Sequence, residues 1–435
     1  MSLRDIILFV VFFGVLPFAL TRPPIGVALW SWVSYMNPHR LTWGIAYNFP
    51  FAMLAAGALL MSLFISKQPK RFSWNGLTAT WLLFILLVVL STFYSLNPYN
   101  AYYQLESVLK IQLTTLITIL VMRDRKNLDL LIWVIALSIG YYSIKGGVFT
   151  ILTGGGHRVY GPASSMIAEN NALAVAILMI IPLFNYLRIT ATNIWVKRGL
   201  LAAMGLSFIS VLGSQSRGAF LAIIAVTGFF FLKSKNKMLV LILLVMLMPI
   251  ALLSMPDSWV ERMETIQDYE TDPSAMGRIR AWEYSINLAS HRVLGGGFGS
   301  WTLYNYSIYL PGVEIEKAYV AHSIYFEVLA NHGWPGLFAY LLVLFLAWRY
   351  CSQVIAVTKK NTEMEWANNL ARMVQVSLVA YCSGGAFLSL SYFDLPWHLI
   401  AISVLLRDIV RDQQKVTAQG AVGGTRNKLA TPPVV

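Results

Sequence analysis

Apolar runs of about 20 residues, long enough to cross a hydrocarbon core, recur along most of the chain and are separated by short polar turns. The pattern predicts a first helix over residues 5–20. A shorter apolar segment over 24–36 follows; it opens with two prolines, ends in NPHR, and reads as a short helix or a re-entrant segment. The helix predicted over 51–65 ends in the basic turn KQPKR. Helices over 77–94 and 109–122 bracket SLNPYNAYYQ, and RDRK at Arg123 to Lys126 closes the second. A helix from about 128 runs to IKGG, the loop GGGHRVYGPASSMIAENN follows, and a helix from about 172 runs to YLRITATNIWVKR. The next pair turns at GSQSRG and ends in KSKNK, and a further helix spans 238–255. After a long polar stretch, His322 begins the helix HSIYFEVLANHGWPG, which breaks near Gly333, and a helix from about 334 runs to VTKKNTEMEW. Two last helices turn at SYFDLPW, and the polar tail from about Asp408 reads as disordered.

The long stretch over 255–336 is the one extended polar interruption, and connections of that length are functional or disordered. It is rich in Trp, Tyr, Phe and Ile, which argues for a folded cap. Four divisions follow: transmembrane helices over 1–255, an external cap containing short helices over 256–321, transmembrane helices over 322–410, and a tail over 411–435.

Composition agrees with the pattern. Hydrophobic residues make up 57% and charged residues 12%, against about 25% charged in a soluble domain, and mean hydropathy is +0.61. The chain reads as an all-α, multi-pass membrane protein with about 12 crossings. The net charge is +13, and the pI near 9.6 would suggest nucleic acid in a soluble protein. Here Lys and Arg collect in short turns, so the charge is topological, and membrane lipids or a lipid-linked phosphate are the expected partners. If segment 24–36 does not cross, both ends are cytoplasmic. The N-terminus has little basic n-region and no A-x-A site, so it reads as a retained helix. Cys351 and Cys382 are poorly placed to pair.

With that topology the polar clusters gather on the outer side. They comprise Lys145, His157 and Arg158, Glu169 with Asn170 and Asn171, Arg217, the Arg278/Arg280 pair, and His322. Ionisable groups at such positions are functional candidates. Lys145 and Arg158 serve equally well as snorkelling anchors. Arg217 stands on the side the positive-inside rule disfavours, although it also suits capping of the preceding helix. Met276, Ile279, Trp282 and Ile286 have helical spacing, and Arg278 and Trp282 share a face, which an ordinary surface helix would also show. Consecutive N–H groups around Gly297 suit a phosphate or a plain tight turn. His322 lies where the polar stretch re-enters the membrane, and imidazole suits base catalysis near neutral pH; His332 stands at the Gly333 break. No HExxH, CxxC pair or Walker A is present, and Asp268, Glu270 and Asp272 read as solvated loop acids, so no metal is expected.

The order SQSRGA at a helix start, then GRIRAW, LGGGFG and AHSIYFEVL followed by spaced glycines, resembles the O-antigen ligase and polymerase superfamily from about residue 140 onward. It is most similar to O-antigen ligases, including the O-glycosylation ligases of exosortase systems. The resemblance implies an inner-membrane glycosyltransferase of GT-C type, without cofactor or metal. Such an enzyme moves a glycan from undecaprenyl diphosphate to a sugar hydroxyl of lipid A–core at the periplasmic face. Carried over by motif, Arg217 is the helix-start arginine, His322 the essential histidine, and Arg278 or Arg280 the loop arginine. His322 then acts as general base and the arginines hold the diphosphate. Lys145, Arg158, Trp282, Gly297 and Tyr304 are candidates for substrate contact, and Trp301 and Tyr306 for stacking on sugars. An O-antigen polymerase or a protein O-glycosylation ligase would share the donor. A flippase of lipid-linked glycans would instead spread its charges through the bilayer midplane.

Overall fold

The computed structural model of the chain describes residues 2–233, 273–313 and 316–428. All regular structure among them is helical. The helices are α1 (Leu3–Thr21), α2 (Pro23–Met36), α3 (Phe51–Ile65), α4 (Gly76–Phe93), α5 (Pro98–Val121), α6 (Arg125–Leu152), α7 (Asn170–Thr190), α8 (Ile194–Gly213) and α9 (Arg217–Lys233). After residues 234–272 come α10 (Pro273–His291), α11 (Leu303–Tyr309), α12 (Ile324–Thr358), α13 (Glu365–Gly384) and α14 (Asp394–Lys428). The sequence-predicted helix over 238–255, the KSKNK turn beyond Lys233, the first part of the cap and the acids Asp268, Glu270 and Asp272 lie outside the described residues.

Seven of the described helices are long and apolar enough to cross a membrane, and α3 and residues 218–229 form shorter apolar helices. The protein is a multi-pass helical membrane protein. Buried α7 lies at its centre, packed against α6, α8, α9 and α13. The helix starts follow from local chemistry. Asn75 Oδ1 accepts from the N–H groups of Leu77 and Thr78 to cap α4, Asp124 caps α6 and Asn193 caps α8. Each satisfies N–H groups that the first helical turn leaves without a partner.

Helices α4 and α12 run antiparallel and define the two ends of the bundle. At one end the Tyr350 hydroxyl donates to Asn75 Oδ1 at 3.0 Å. At the other, Ser91 Oγ bonds His332 Nδ1 at 2.6 Å. The first is the basic end, with Arg71, Arg123, Lys359 and Lys360. The second carries the cap, in which Tyr284 of α10 stacks on Tyr306 of α11 at 4.2 Å, over Leu288, Leu310 and Ala330.

Several sequence expectations change. Segment 24–36 is a helix packed between α1, α3 and α6. Pro23 and Pro24 start it instead of breaking it, because the first-turn N–H groups need no helical acceptor. Helix α1 therefore begins at the cap end. Arg4 donates to Leu41 O at 3.1 Å and lies 4.3 Å over the Trp43 ring. Both ends on one side was expected only if segment 24–36 did not cross, and α2, ending beside Asp394 at the cap end, does not meet that condition. NPYNAYYQ is the first two turns of α5, opened by Pro98. The helix expected to open at His322 begins at Ile324 and kinks at Gly333, where φ is +66°, and the segment expected from 334 continues it to Thr358. Helix α14 continues past Asp408 to Lys428. Cys351 and Cys382 are free thiols.

Candidate active site

Four turns from distant parts of the sequence meet beneath the cap. The first is the turn between α8 and α9. Ser216 Oγ accepts from Ala219 N at 3.1 Å and caps α9, so Arg217 is the first helical residue. Gln215 is left-handed, with φ +53°. The Arg217 side chain lies outside the described residues. Its helix start is nonetheless placed, because a Cβ on Gly218 would stand 3.5 Å from Phe387, whose ring lies 6.5 Å from that of Trp282.

The second turn is residues 153–169. Gln215 Nε2 donates to Gly155 O at 3.0 Å, Val159 N donates to Gly213 O at 3.3 Å, and Asn170 Nδ2 donates to Ser214 O at 2.8 Å. Arg158, half-buried, belongs to this strap over the α8–α9 turn. Glu169 occupies the N-cap position of α7, yet its carboxylate makes no capping bond.

The third is α10. Arg278 and Trp282 lie one turn apart on one face, whereas Arg280, two residues on, points to another side of the helix. Trp282, a candidate for backing a sugar ring, is half-buried and engaged within the fold. Its Nε1 donates to Ala321 O at 2.8 Å, and its ring stacks on Phe326 at 5.0 Å and 11°.

The fourth is the segment leading into α12, and it carries His322. This residue is half-buried, and its φ of +43° is unusual for a side chain other than glycine. Left-handed backbone costs about 1–3 kcal/mol and survives only where neighbours hold it. The holds are explicit: Tyr306 donates to Tyr319 O at 2.7 Å, Trp282 to Ala321 O, and Ser391 Oγ to Ile324 O at 3.0 Å and Glu327 Oε2 at 2.6 Å. Burial lowers the His322 pKa below the usual histidine value. The positive charge of Arg278 lowers it further, and the negative charge of Glu169 opposes both. His322 is thus within electrostatic reach of a guanidinium and a carboxylate. Neutral imidazole, the form that can accept a proton, is favoured near pH 7.

Other sequence candidates do not join this cluster. Lys145 lies inside α6, exposed, and IKGG is not a turn. Its glycines let α6 approach α8: a Cβ on Gly147 would stand 2.2 Å from Leu206 O. The glycine run of the cap is no phosphate cradle either. Gly295 N donates to Arg292 O, Gly296 N to Ala330 O and Gly297 N to Asn331 O, at 2.8–3.0 Å. Gly297 interlocks with the α4 end and the Gly333 kink; its Cβ would stand 2.5 Å from that of Ser95, and a Cβ on Gly333 would stand 1.9 Å from Val293 O. Tyr306 is buried in the cap core, Trp301 packs on Tyr284, and Tyr304 is 75% exposed on α11. His332 is a packing residue, with both ring nitrogens bonded, to Ser91 and to Tyr392 at 2.7 Å.

Two features escaped the sequence reading. Glu327 stands one turn into α12 and holds Ser391. Asp394, in a stretch read as a plain turn, bonds Ser34. With Ser34, Asn37, His39 and Ser164 it lines a cavity of about 240 Å³ at the cap end. Only the SYFD acid itself signalled this, since nothing in the sequence pairs 34 with 394.

Residues 3–192, covering α1 to α7, match a family model described as a family of unknown function (DUF5935). No curated protein matches this chain. Residues 202–341, which hold Arg217, Arg278, Arg280, Trp282 and His322, match the family model described as O-Antigen ligase. The chain carries an O-antigen ligase domain over the segment that forms three of the four converging turns, and this supports its place in the O-antigen ligase and polymerase superfamily.

Proposed function

We propose that the protein is an O-antigen ligase. It transfers a glycan from undecaprenyl diphosphate to a sugar hydroxyl of lipid A–core, at the periplasmic face of a bacterial inner membrane, in lipopolysaccharide synthesis. The observation that carries this reading is the O-antigen ligase match over residues 202–341, whose His322 sits in the electrostatic field of Arg278 and Glu169. The bundle is of GT-C type; with α2 crossing, the count of about 12 expected without it becomes about 13, and the basic end is cytoplasmic by the positive-inside rule.

The chemistry follows from the residue types. A lipid diphosphate is already ionised at pH 7 and leaves without a protonating acid, but its charge must be held. Guanidinium groups do so bidentately; Arg217 and Arg278 take this role, with Arg280 contributing from the same helix. The acceptor hydroxyl is a weak nucleophile, and neutral His322 removes its proton as the new glycosidic bond forms. Glu169 then stabilises the imidazolium, as a carboxylate does for a catalytic histidine. A single displacement inverts the anomeric carbon. No cofactor or metal takes part. Arg158 borders the donor site on the 153–169 strap, and the cavity at Asp394 and Ser34 receives a sugar of the acceptor.

A polymerase or a protein O-glycosylation ligase would use the same donor, and a flippase would transfer nothing. One assay separates them. Purified protein in detergent with EDTA is given lipid-linked glycan and, in parallel, lipid A–core, a second lipid-linked repeat, or an acceptor protein. Transfer to lipid A–core alone is expected. Transfer only to another acceptor changes the assignment, and none to any acceptor refutes catalysis.

A further inference from the structure

At the end of the bundle opposite His322 lies a second, larger cavity of about 480 Å³ that the glycan chemistry does not use. It opens between the start of α4, the end of α5, the second half of α12 and the stretch of α14 from Arg407 to Lys415. From Ile324 to Tyr350 along α12 is about 39 Å at 1.5 Å per residue, so the two sites lie about a membrane thickness apart.

The lining is strongly cationic. Arg71, Arg123, Arg407, Arg411 and Lys415 face two carboxylates, Asp408 and Asp412, which leaves a net charge of +3. Among the described residues Arg123 alone of the five is ion-paired, to Asp408 at 3.3 Å, and it also donates to Arg71 O at 2.9 Å. Arg407 is held 4.0 Å over the Tyr350 ring. Arg123 and Arg407 are thus fixed at the wall, and the more exposed Arg71, Arg411 and Lys415 ring the opening. Fixed planar donors suit a phosphate, which they grip bidentately. Trp74 on the rim is 76% exposed, stacked edgewise on Phe72 at 4.9 Å. An exposed indole beside cations is what an interfacial headgroup region favours.

We infer that this cavity binds the phosphate-bearing headgroup of an anionic phospholipid from the leaflet at the basic end of the bundle. Basic pockets between transmembrane helices are suited to such headgroups, and several cations act together within a Debye length. Since α4, α5, α12 and α14 all contribute walls, a bound headgroup ties four helices together at the end far from the cap. The inference is independent of the transfer chemistry and needs only that the bundle sits in a bilayer.

The test uses the full chain in zwitterionic detergent, with phosphatidylglycerol, phosphatidylethanolamine or inorganic phosphate as probe and native mass spectrometry as readout. Phosphatidylglycerol is expected to bind, and the Arg407→Gln/Arg411→Gln variant to bind it on the order of tenfold more weakly. Should loss of the Arg407–Tyr350 stack impair folding, Arg411→Gln/Lys415→Gln removes two exposed charges without touching the packing and is expected to weaken binding similarly. Lys359→Gln/Lys360→Gln removes equal charge from the same end outside the cavity and is expected to leave affinity unchanged. Equal weakening by the Lys359/Lys360 variant assigns the effect to diffuse charge and overturns the site. Equal binding of phosphatidylethanolamine overturns the charge argument, and phosphate alone binding as tightly overturns the lipid as source.

Discussion

His322 combines three properties that seldom coincide at a surface loop: a left-handed backbone, half burial, and a cation and an anion both within electrostatic reach. Their joint effect is readable as a pH profile. Because burial and Arg278 hold its pKa below 6.5, the acid limb of transfer activity is expected to have its midpoint under pH 6.5. Arg278→Gln removes a charge that disfavours protonation, so the limb should move to higher pH, and Glu169→Gln should move it lower. A limb that ignores both substitutions assigns the titration to another group. Trp282 acts at one remove, by holding Ala321. Trp282→Phe keeps the stack on Phe326 and loses one hydrogen bond, typically worth about 1 kcal/mol. The expected result is kcat lowered about three- to tenfold with the KM for donor unchanged; a raised KM at normal kcat would return Trp282 to direct sugar contact. The position of His322 at the entry to α12 was legible in the sequence, where a polar stretch meets an apolar run. The roles of Trp282 and Asp394 were not, because a side chain's partner across the fold leaves no local mark.

Among the elements, the cap and the break in α12 are joined by glycines, not by substrate. Gly297, at φ +70°, and Gly333, at φ +66°, lie where a Cβ would meet neighbouring atoms at 2.5 and 1.9 Å. Gly297→Ala is therefore expected to lower thermal stability in detergent, since a side chain at positive φ costs about 1 kcal/mol or more before the clash is counted. Transfer per folded molecule should stay near wild type. Normal stability with weakened donor binding would restore the phosphate-cradle reading of the run. The ambiguity was inherent in the sequence, because glycines that open a backbone to an anion and glycines that let two backbones touch look alike. IKGG misled for the same reason, its glycines serving close approach of α6 to α8. Helix identity was more legible than helix limits. Apolar runs marked the cores of α4, α6 and α7 and the limits of α2, while the polar first turns of α5 disguised where that helix starts.

For the whole molecule, the order of helices sets which groups share an end. With α2 a full helix, α1 begins at the cap end, beside Leu41 and Trp43. A cysteine at Ser2 is then expected to react with an impermeant thiol reagent from the same side as one at Gly154, and from the opposite side to one at Gln68. Reaction of the Ser2 and Gln68 cysteines from one side would contradict this arrangement. The same ordering gathers turns at 153–169, 213–217, 278–282 and 319–327 beneath one cap, which no single segment could achieve. The most direct measurement of that convergence is single-turnover transfer of glycan from undecaprenyl diphosphate to lipid A–core by purified, folded His322→Ala protein, with donor binding followed in parallel. The account predicts transfer slowed by about 10²-fold or more while donor still binds. Transfer at the wild-type rate by folded His322→Ala protein would contradict it.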